Sequence, residues 1–162
     1  MDKEFDSYTY ADLCEALEHC KTNSDMEFEL YQKLVRICDD DIKKLYEDLD
    51  TDVVDPNTGK LLGWNPTFLD EYAAPMDNLS RIYMEKGEYA KALSLLEQAL
   101  PIYRTLEIYN TNYTYQRRNA IEAMIECLEK LGKENLAILY GYELKHLQRD
   151  VLDKREKSNT YH

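Results

Sequence analysis

The segment between residues 73 and 106 constrains the fold more than any other part of the chain. Two apolar patterns of helical length flank a single glycine, Gly87, and in each pattern apolar residues recur every three or four positions. Two small residues of the second pattern, Ala92 and Ala99, stand where paired helices must approach closely. This arrangement is typical of a helical hairpin that stacks on further hairpins. Modules of that kind usually bind a partner and rarely catalyse a reaction.

Another hairpin follows the one around Gly87, and its glycine, Gly132, lies 45 residues after Gly87. Large apolar residues precede each glycine on the first helix, and a small residue follows each glycine on the second. The large residues of one helix can therefore wedge against the small residues of the other. The corresponding positions are Leu79 and Met124, Tyr83 and Leu128, and Ala92 and Ala137.

The composition favours a single all-α domain. The chain has 162 residues, of which only five are glycine and four are proline. So few glycines argue against phosphate-binding loops and against a turn-rich β fold. The long runs of leucine, glutamate, lysine and alanine favour helix instead.

The charge is acidic and unevenly placed. The net charge of −12 lies entirely within residues 1–75, whereas residues 76–162 are balanced. Because phosphate groups repel such a chain, the charge argues against nucleic acid and against anionic membranes as partners. The acidity predicts either a solubilising surface or a docking surface for a basic partner on the N-terminal half.

The expected compartment is the cytoplasm. No apolar run approaches the roughly 18–20 residues that span a bilayer, and the N-terminus does not have the pattern of a secretory signal. The four cysteines form no CxxC pair and fall mostly on apolar helical positions. We therefore expect reduced thiols that act as small core residues.

The pattern divides the chain into three antiparallel helix pairs and an insert. An N-terminal hairpin is expected in residues 1–50, a turn-rich insert in 51–66, two further hairpins in 67–153, and a flexible tail in 154–162. Within the insert, the run Asp55-Pro-Asn-Thr-Gly59 is a strong turn signal with apolar pairs on both sides, so it predicts an ordered loop or a small β-hairpin. Pro75 is expected either to kink the third helix or to begin a new one.

The hairpin around Gly87 resembles the tetratricopeptide repeat (TPR) family. The residues that carry the resemblance are Leu79, Tyr83, Gly87, Tyr89, Ala92, Leu96 and Ala99. Because the repeat is longer than the usual 34 residues, it is most similar to the longer-helix variant found in kinesin light chains. The resemblance is specific over residues 73–106, moderate as far as 147, and weak before 50.

The resemblance implies a short superhelix whose first helices line a concave groove, in which family members bind peptides or helices. A basic clamp for an acidic C-terminus is missing, because Asp77, Glu122 and Ala123 occupy the matching positions. The expected partner is therefore a neutral-to-basic or apolar protein segment. The residues that the resemblance assigns to ligand binding are Asp77, Asn78, Arg81, Met84, Glu85, Asn119, Glu122 and Glu126, with Ala123 beside them.

No catalytic, metal or cofactor site is predicted. The three histidines are scattered, and no glycine-rich phosphate loop or nucleophile elbow occurs. A zinc site at Cys14, His19, Cys20 and Cys38 is disfavoured, because their spacing scatters them around a helix. A single Glu143-x-x-His146 motif is too little for a di-iron site.

These observations lead to a protein–protein interaction module, or scaffold, without enzymatic activity. One alternative within the same class is a small acidic TPR chaperone, similar to those of type III secretion, that holds an extended chain. Another alternative is a structural subunit, in which Val151 and Leu152 at the end of the stack pair two chains as a homodimer.

Overall fold

The computed structural model describes the backbone of residues 7–48, 57 and 69–160, and the side chains of residues 7–44, 57 and 69–147. Within these ranges the protein is entirely helical, which confirms the predicted all-α class. Each helix packs against the next one in the chain. A single 3-10 turn, Thr111–Tyr113, connects the fourth and fifth helices. The helices are α1 (Tyr10–His19), α2 (Asp25–Asp48), α3 (Asp70–Glu85), α4 (Tyr89–Tyr109), α5 (Thr114–Lys130) and α6 (Glu134–Thr160).

Two predictions about the chain outside these helices have different outcomes. The predicted loop or β-hairpin in residues 51–66 lies outside the described residues, except for Asn57, and no strand occurs in the ranges given above. At the C-terminus, the backbone is helical as far as Thr160, although a tail was expected from residue 154. The extension has a local reason, because residues 154–157 are lysine, arginine and glutamate, which favour helix.

The first two helices begin at side-chain caps. Thr9 caps α1: its hydroxyl accepts a hydrogen bond from the Asp12 amide at 3.2 Å, and the Asp12 carboxylate accepts one from the Thr9 amide at 3.0 Å. Ser24 plays the same part for α2, since its hydroxyl accepts from the Glu27 amide at 3.1 Å. The polar segment between the first two helices therefore supplies the N-terminal cap of α2.

The turns at Gly87 and Gly132 have the same backbone geometry. Both glycines have a positive φ, 76° and 74°, which an L side chain adopts only with strain. After each glycine, the next amide donates to a carbonyl five residues earlier, at 2.8 Å in both turns. The bonds run from Glu88 to Tyr83 and from Lys133 to Leu128, and they satisfy carbonyls that the helix ends leave open.

Pro75 lies inside α3 and joins the N-terminal hairpin to it. Proline has no amide hydrogen, so the carbonyl of Glu71, one turn earlier, loses its helical partner. The Tyr10 hydroxyl of α1 donates to that carbonyl at 2.6 Å, and the Cys38 thiol of α2 lies 3.8 Å from it. The proline thus creates the acceptor through which the first two helices dock on the third.

The core runs through all three hairpins and is densest along α4. Ala92 and Ala99 are fully buried, as the pattern of small residues predicted. Leu96, Leu100 and Tyr103 fill the space between α4 and its neighbours. Because α3 packs on one side of α4 and α5 on the other, apolar residues on more than one face of this helix are removed from water.

An ion-pair network ties the last hairpin to the one before it. The Arg104 guanidinium of α4 donates to both carboxylate oxygens of Glu143 on α6, at 2.7 to 3.0 Å. Arg117 of α5 donates to Glu107 of α4 at 2.6 Å and lies 3.8 Å from Glu143. The charges of two arginines and two glutamates from three helices therefore neutralise one another.

The cysteines fit the core role expected of them. Cys38 and Cys127 are buried, and all four cysteines are free thiols. Burial raises the pKa of the Cys38 thiol to about 12 and that of Cys127 to about 11, so both stay protonated at neutral pH. The described residues contain no group of three or more metal-ligating side chains.

Candidate functional site

A groove lies between α3 and α5, the first helices of the second and third hairpins. Its volume is about 480 Å³. On α5 the lining residues follow one another at helical spacing, so they share one face of that helix. The same holds on α3, where two lining residues are three positions apart. The residues that line this α3–α5 groove are Arg81, Met84, Asn119, Glu122, Ala123 and Glu126.

Five of the eight predicted ligand-binding residues belong to this lining, and Ala123 is the sixth member. Most of the lining is in contact with water: Arg81, Asn119, Glu122 and Glu126 are exposed, Met84 is half-buried, and Ala123 is buried. The groove is therefore an open channel with a narrow apolar floor. An open channel of this kind suits a polymer segment better than an enclosed small molecule.

Asp77 does not line the groove, but its carboxylate lies next to Arg81, which does. Its Oδ2 accepts a hydrogen bond from the Tyr103 hydroxyl of α4 at 3.3 Å, and its Oδ1 lies 3.5 Å from a guanidinium nitrogen of Arg81. Burial raises the pKa of the Asp77 carboxyl above its usual range, although the nearby Arg81 partly opposes this. Asp77 therefore acts as a support that orients Arg81.

Asn78 and Glu85 point away from the groove in two directions. Asn78 is exposed and lies beside the Tyr31 hydroxyl of α2. Glu85 lines a separate depression with Phe28 of α2 and Lys86. These two residues thus face the N-terminal hairpin, and the sequence pattern missed this because a helical period does not specify which neighbour covers each side.

The groove presents carboxylate, amide and thioether groups along its length. The carboxylates of Glu122 and Glu126 lie one turn apart on α5, so a single lysine or arginine can bridge them. The Asn119 amide offers both a donor and an acceptor, which matches a peptide backbone. Met84 adds a flexible apolar contact that adapts to varied side chains.

A further depression, which the sequence did not suggest, lies where α2, α3 and α4 meet. Gln32 of α2 donates to the Tyr83 hydroxyl at 3.2 Å, and the ammonium of Lys91 lies 5.6 Å from the centre of the Tyr83 ring. Arg36 and Ser94 complete the rim of this depression, whose volume is about 300 Å³. Its residues come from three helices, so no local motif marks it. Tyr83 serves here as a packing residue, in edge-to-face contact with Phe28 at 5.4 Å.

The third exposed feature is the outer side of α6, where large apolar residues face water. They are Leu136, Ile138, Leu139 and Tyr142. The signal for it was present in the sequence, because α6 carries apolar residues on more sides than a helix with one buried face requires. In the part of the chain that the structure describes, no helix is both long and apolar enough to cross a membrane.

Comparison of the chain with protein-family models, with curated proteins and with solved structures finds no match.

Proposed function

We propose that this chain is a TPR-like protein-interaction module that binds a peptide or helical segment in the α3–α5 groove. The observation that carries the proposal is the convergence of Arg81, Met84, Asn119, Glu122 and Glu126 on one open channel. The resemblance to the family assigned these residues to ligand binding from the sequence alone. A shared groove is what that assignment requires.

The charges of the groove favour a segment that carries a basic residue. Glu122 and Glu126 are exposed, and no other described side chain pairs with either of them. Arg81 already lies 3.5 Å from Asp77, so its charge is partly compensated within α3. The channel therefore presents net negative charge to a ligand, and a lysine or arginine gains most by entering it.

The uncharged lining residues favour particular ligand groups next to the basic residue. Asn119 suits the backbone of an extended segment, whereas Met84 and Ala123 suit a small or medium apolar side chain next to the basic residue. The proposal assigns no chemical step to these residues. Their role is to hold a segment of another protein, as a scaffold does.

The proposal is tested by selecting random linear peptides, displayed on phage, against the immobilised protein. Three forms are compared: wild type, the double variant E122K/E126K, and the double variant E18K/E97K. The last is a charge-matched control, because Glu18 and Glu97 are exposed on α1 and α4, outside the groove.

Wild type and E18K/E97K are expected to enrich the same family of peptides, which contain lysine or arginine beside an apolar residue. E122K/E126K is expected to lose that family. If all three proteins enrich the same peptides, or if E18K/E97K loses them as fully as the groove variant does, the α3–α5 groove is not the binding site.

A further inference from the structure

The outer side of α6 exposes an unusual amount of apolar surface. Leu139 is 62% exposed, Tyr142 57%, Ile138 56% and Leu136 46%. These residues are linked by steps of three and four positions, so they form one continuous patch over two turns of the helix. We call this patch the open face of α6. A monomeric protein rarely leaves so continuous an apolar patch in water.

The outer side of α6 lies opposite the side that packs against the core. Its inner side is packed: Ala137 and Leu147 are buried, and Leu144 is half-buried against the core. Among the described elements, α6 packs mainly against α5 and also meets α4 through the Arg104–Glu143 ion pair. At the matching positions 45 residues earlier, α4 exposes Lys91, Ser94 and Glu97, so this outer side is polar in α4 and apolar in α6.

The charges around the open face are arranged so that the face complements itself. Glu134 lies at the N-terminal end of the patch, and Lys145 lies at its C-terminal end, both exposed. In a parallel pair of such helices, each charge would meet its own kind. In an antiparallel pair, Glu134 of one copy meets Lys145 of the other, and the two helix dipoles also oppose one another.

We propose that the open face of α6 binds the same face of a second copy of this chain, with the two α6 helices antiparallel. In this dimer Ile138 of one copy packs on Tyr142 of the other, Leu139 lies next to the two-fold axis, and the charged ends form the polar rim. None of these residues lines the α3–α5 groove, so pairing leaves the groove open. The dimer therefore presents two grooves, which strengthens binding to any partner that carries two suitable segments.

A membrane surface is a weaker match for the same face. The chain carries a net charge of −12, so anionic lipid repels the body of the protein. Two copies of the face instead cover each other's apolar surface and neutralise the charges at both ends. The test below includes vesicles so that lipid binding would be seen.

The proposal is tested by measuring molar mass with light scattering over a range of protein concentrations. Wild type is expected to approach twice the chain mass of 19.2 kDa as the concentration rises. The variant I138E/L139E is expected to weaken the dimer at least about ten-fold. The control M26E/I108E makes the same change at exposed apolar residues of α2 and α4 and is expected to dimerise as wild type does.

A charge swap tests the antiparallel arrangement in the same assay. E134K places two positive ends together and is expected to weaken the dimer several-fold, whereas E134K/K145E restores opposite charges and is expected to recover most of the loss. Circular dichroism checks that each variant keeps the helix content of wild type. None of these measurements involves a peptide ligand, so the outcome is independent of the proposed function.

Four outcomes would overturn the proposal. The first is a wild-type chain that stays monomeric at every concentration. The second is a dimer that tolerates I138E/L139E, and the third is a dimer that E134K weakens but K145E does not rescue. The fourth is a monomer that sediments with phosphatidylcholine and phosphatidylglycerol vesicles through the same residues, because it would assign the face to lipid.

Discussion

The α3–α5 groove and the open face of α6 are both exposed surfaces of one stack of helices, but their chemistry is opposite. Four of the six residues that line the groove are charged or polar and in contact with water. The open face consists of four large apolar side chains with charges only at its two ends. The two surfaces share no residue, so each can be changed without touching the other.

This difference assigns the two surfaces to two kinds of contact. A polar channel stays hydrated at little cost when it is empty, which suits reversible binding of a segment. An apolar patch lowers its free energy whenever it is covered, which suits a lasting association. The two proposals together describe a protein that exchanges ligands on one side and assembles on another.

The largest expected effect is the difference in the free energy of unfolding between a substitution in the core and one on the open face. Leu96→Ala in α4 removes a fully buried side chain and is expected to lower the free energy of unfolding by about 2–5 kcal/mol. Leu139→Ala in α6 is expected to change it by less than about 0.5 kcal/mol, because that side chain is mostly in water. Urea unfolding, at a concentration where the chain is monomeric, measures both.

If Leu96→Ala and Leu139→Ala lowered the free energy of unfolding equally, Leu139 would belong to the core of the monomer. The open face of α6 would then not be an exposed surface. The stronger form of the test repeats the two measurements at high concentration. There Leu139→Ala should lower stability more than it does in the monomer, because dimerisation contributes to the stability of wild type.

A medium effect is expected where α6 is tied to α4. A double-mutant cycle on Arg104→Ala and Glu143→Ala should give a coupling energy of about 1 kcal/mol, because the guanidinium contacts both carboxylate oxygens. The matched pair Glu88 and Lys91 is more exposed and makes one contact of 3.4 Å, so its coupling should fall below about 0.5 kcal/mol. Equal coupling in both pairs would mean that α6 is not held to α4 by this contact.

The smallest expected effect is a change in stability with pH at Asp77. This residue lies next to Arg81 but does not itself line the groove. Burial raises the pKa of its carboxyl in the folded state, so the folded protein holds this proton to a higher pH than the unfolded chain does. The contribution to stability is therefore fully present below the usual carboxyl pKa and is lost as the pH rises through the folded-state value. Asp77→Asn removes this dependence.

The measurement is the free energy of unfolding of wild type and Asp77→Asn at several pH values between about 3 and 7. Relative to the variant, wild type should lose stability as the pH rises. Peptide affinity should fall modestly in the variant, because Asp77 orients Arg81 and compensates part of its charge. A wild type that gains stability over this range would contradict the raised pKa of Asp77, and a variant that binds the peptide as tightly as wild type does would contradict its role as a support for Arg81.

Local signals explain what the sequence predicted well. The glycines at 87 and 132 act within a few residues of themselves, so the turns of these two hairpins lie where the pattern predicted them. The groove residues of α5 were assigned through the resemblance to the TPR family, and their spacing places them on one face of the helix.

Contacts between distant residues explain what the sequence did not predict. Tyr103 holds Asp77 from 26 positions away, and Tyr10 satisfies the carbonyl of Glu71 from 61 positions away. Neither partner is marked by a local pattern. In the same way, the apolar residues of α6 predict that this helix packs against a neighbour. They do not predict that its outer side is left exposed by the described helices of the chain.

The most direct test of the account is a titration of isotope-labelled protein with a peptide selected by wild type, followed by the chemical shifts of the backbone amides. Binding in the α3–α5 groove predicts saturable shifts concentrated on α3 near residues 81–84 and on α5 near residues 119–126, with the outer side of α6 unchanged. Shifts that cluster on α6 or in the depression between α2 and α4, with none in the α3–α5 groove, would contradict it.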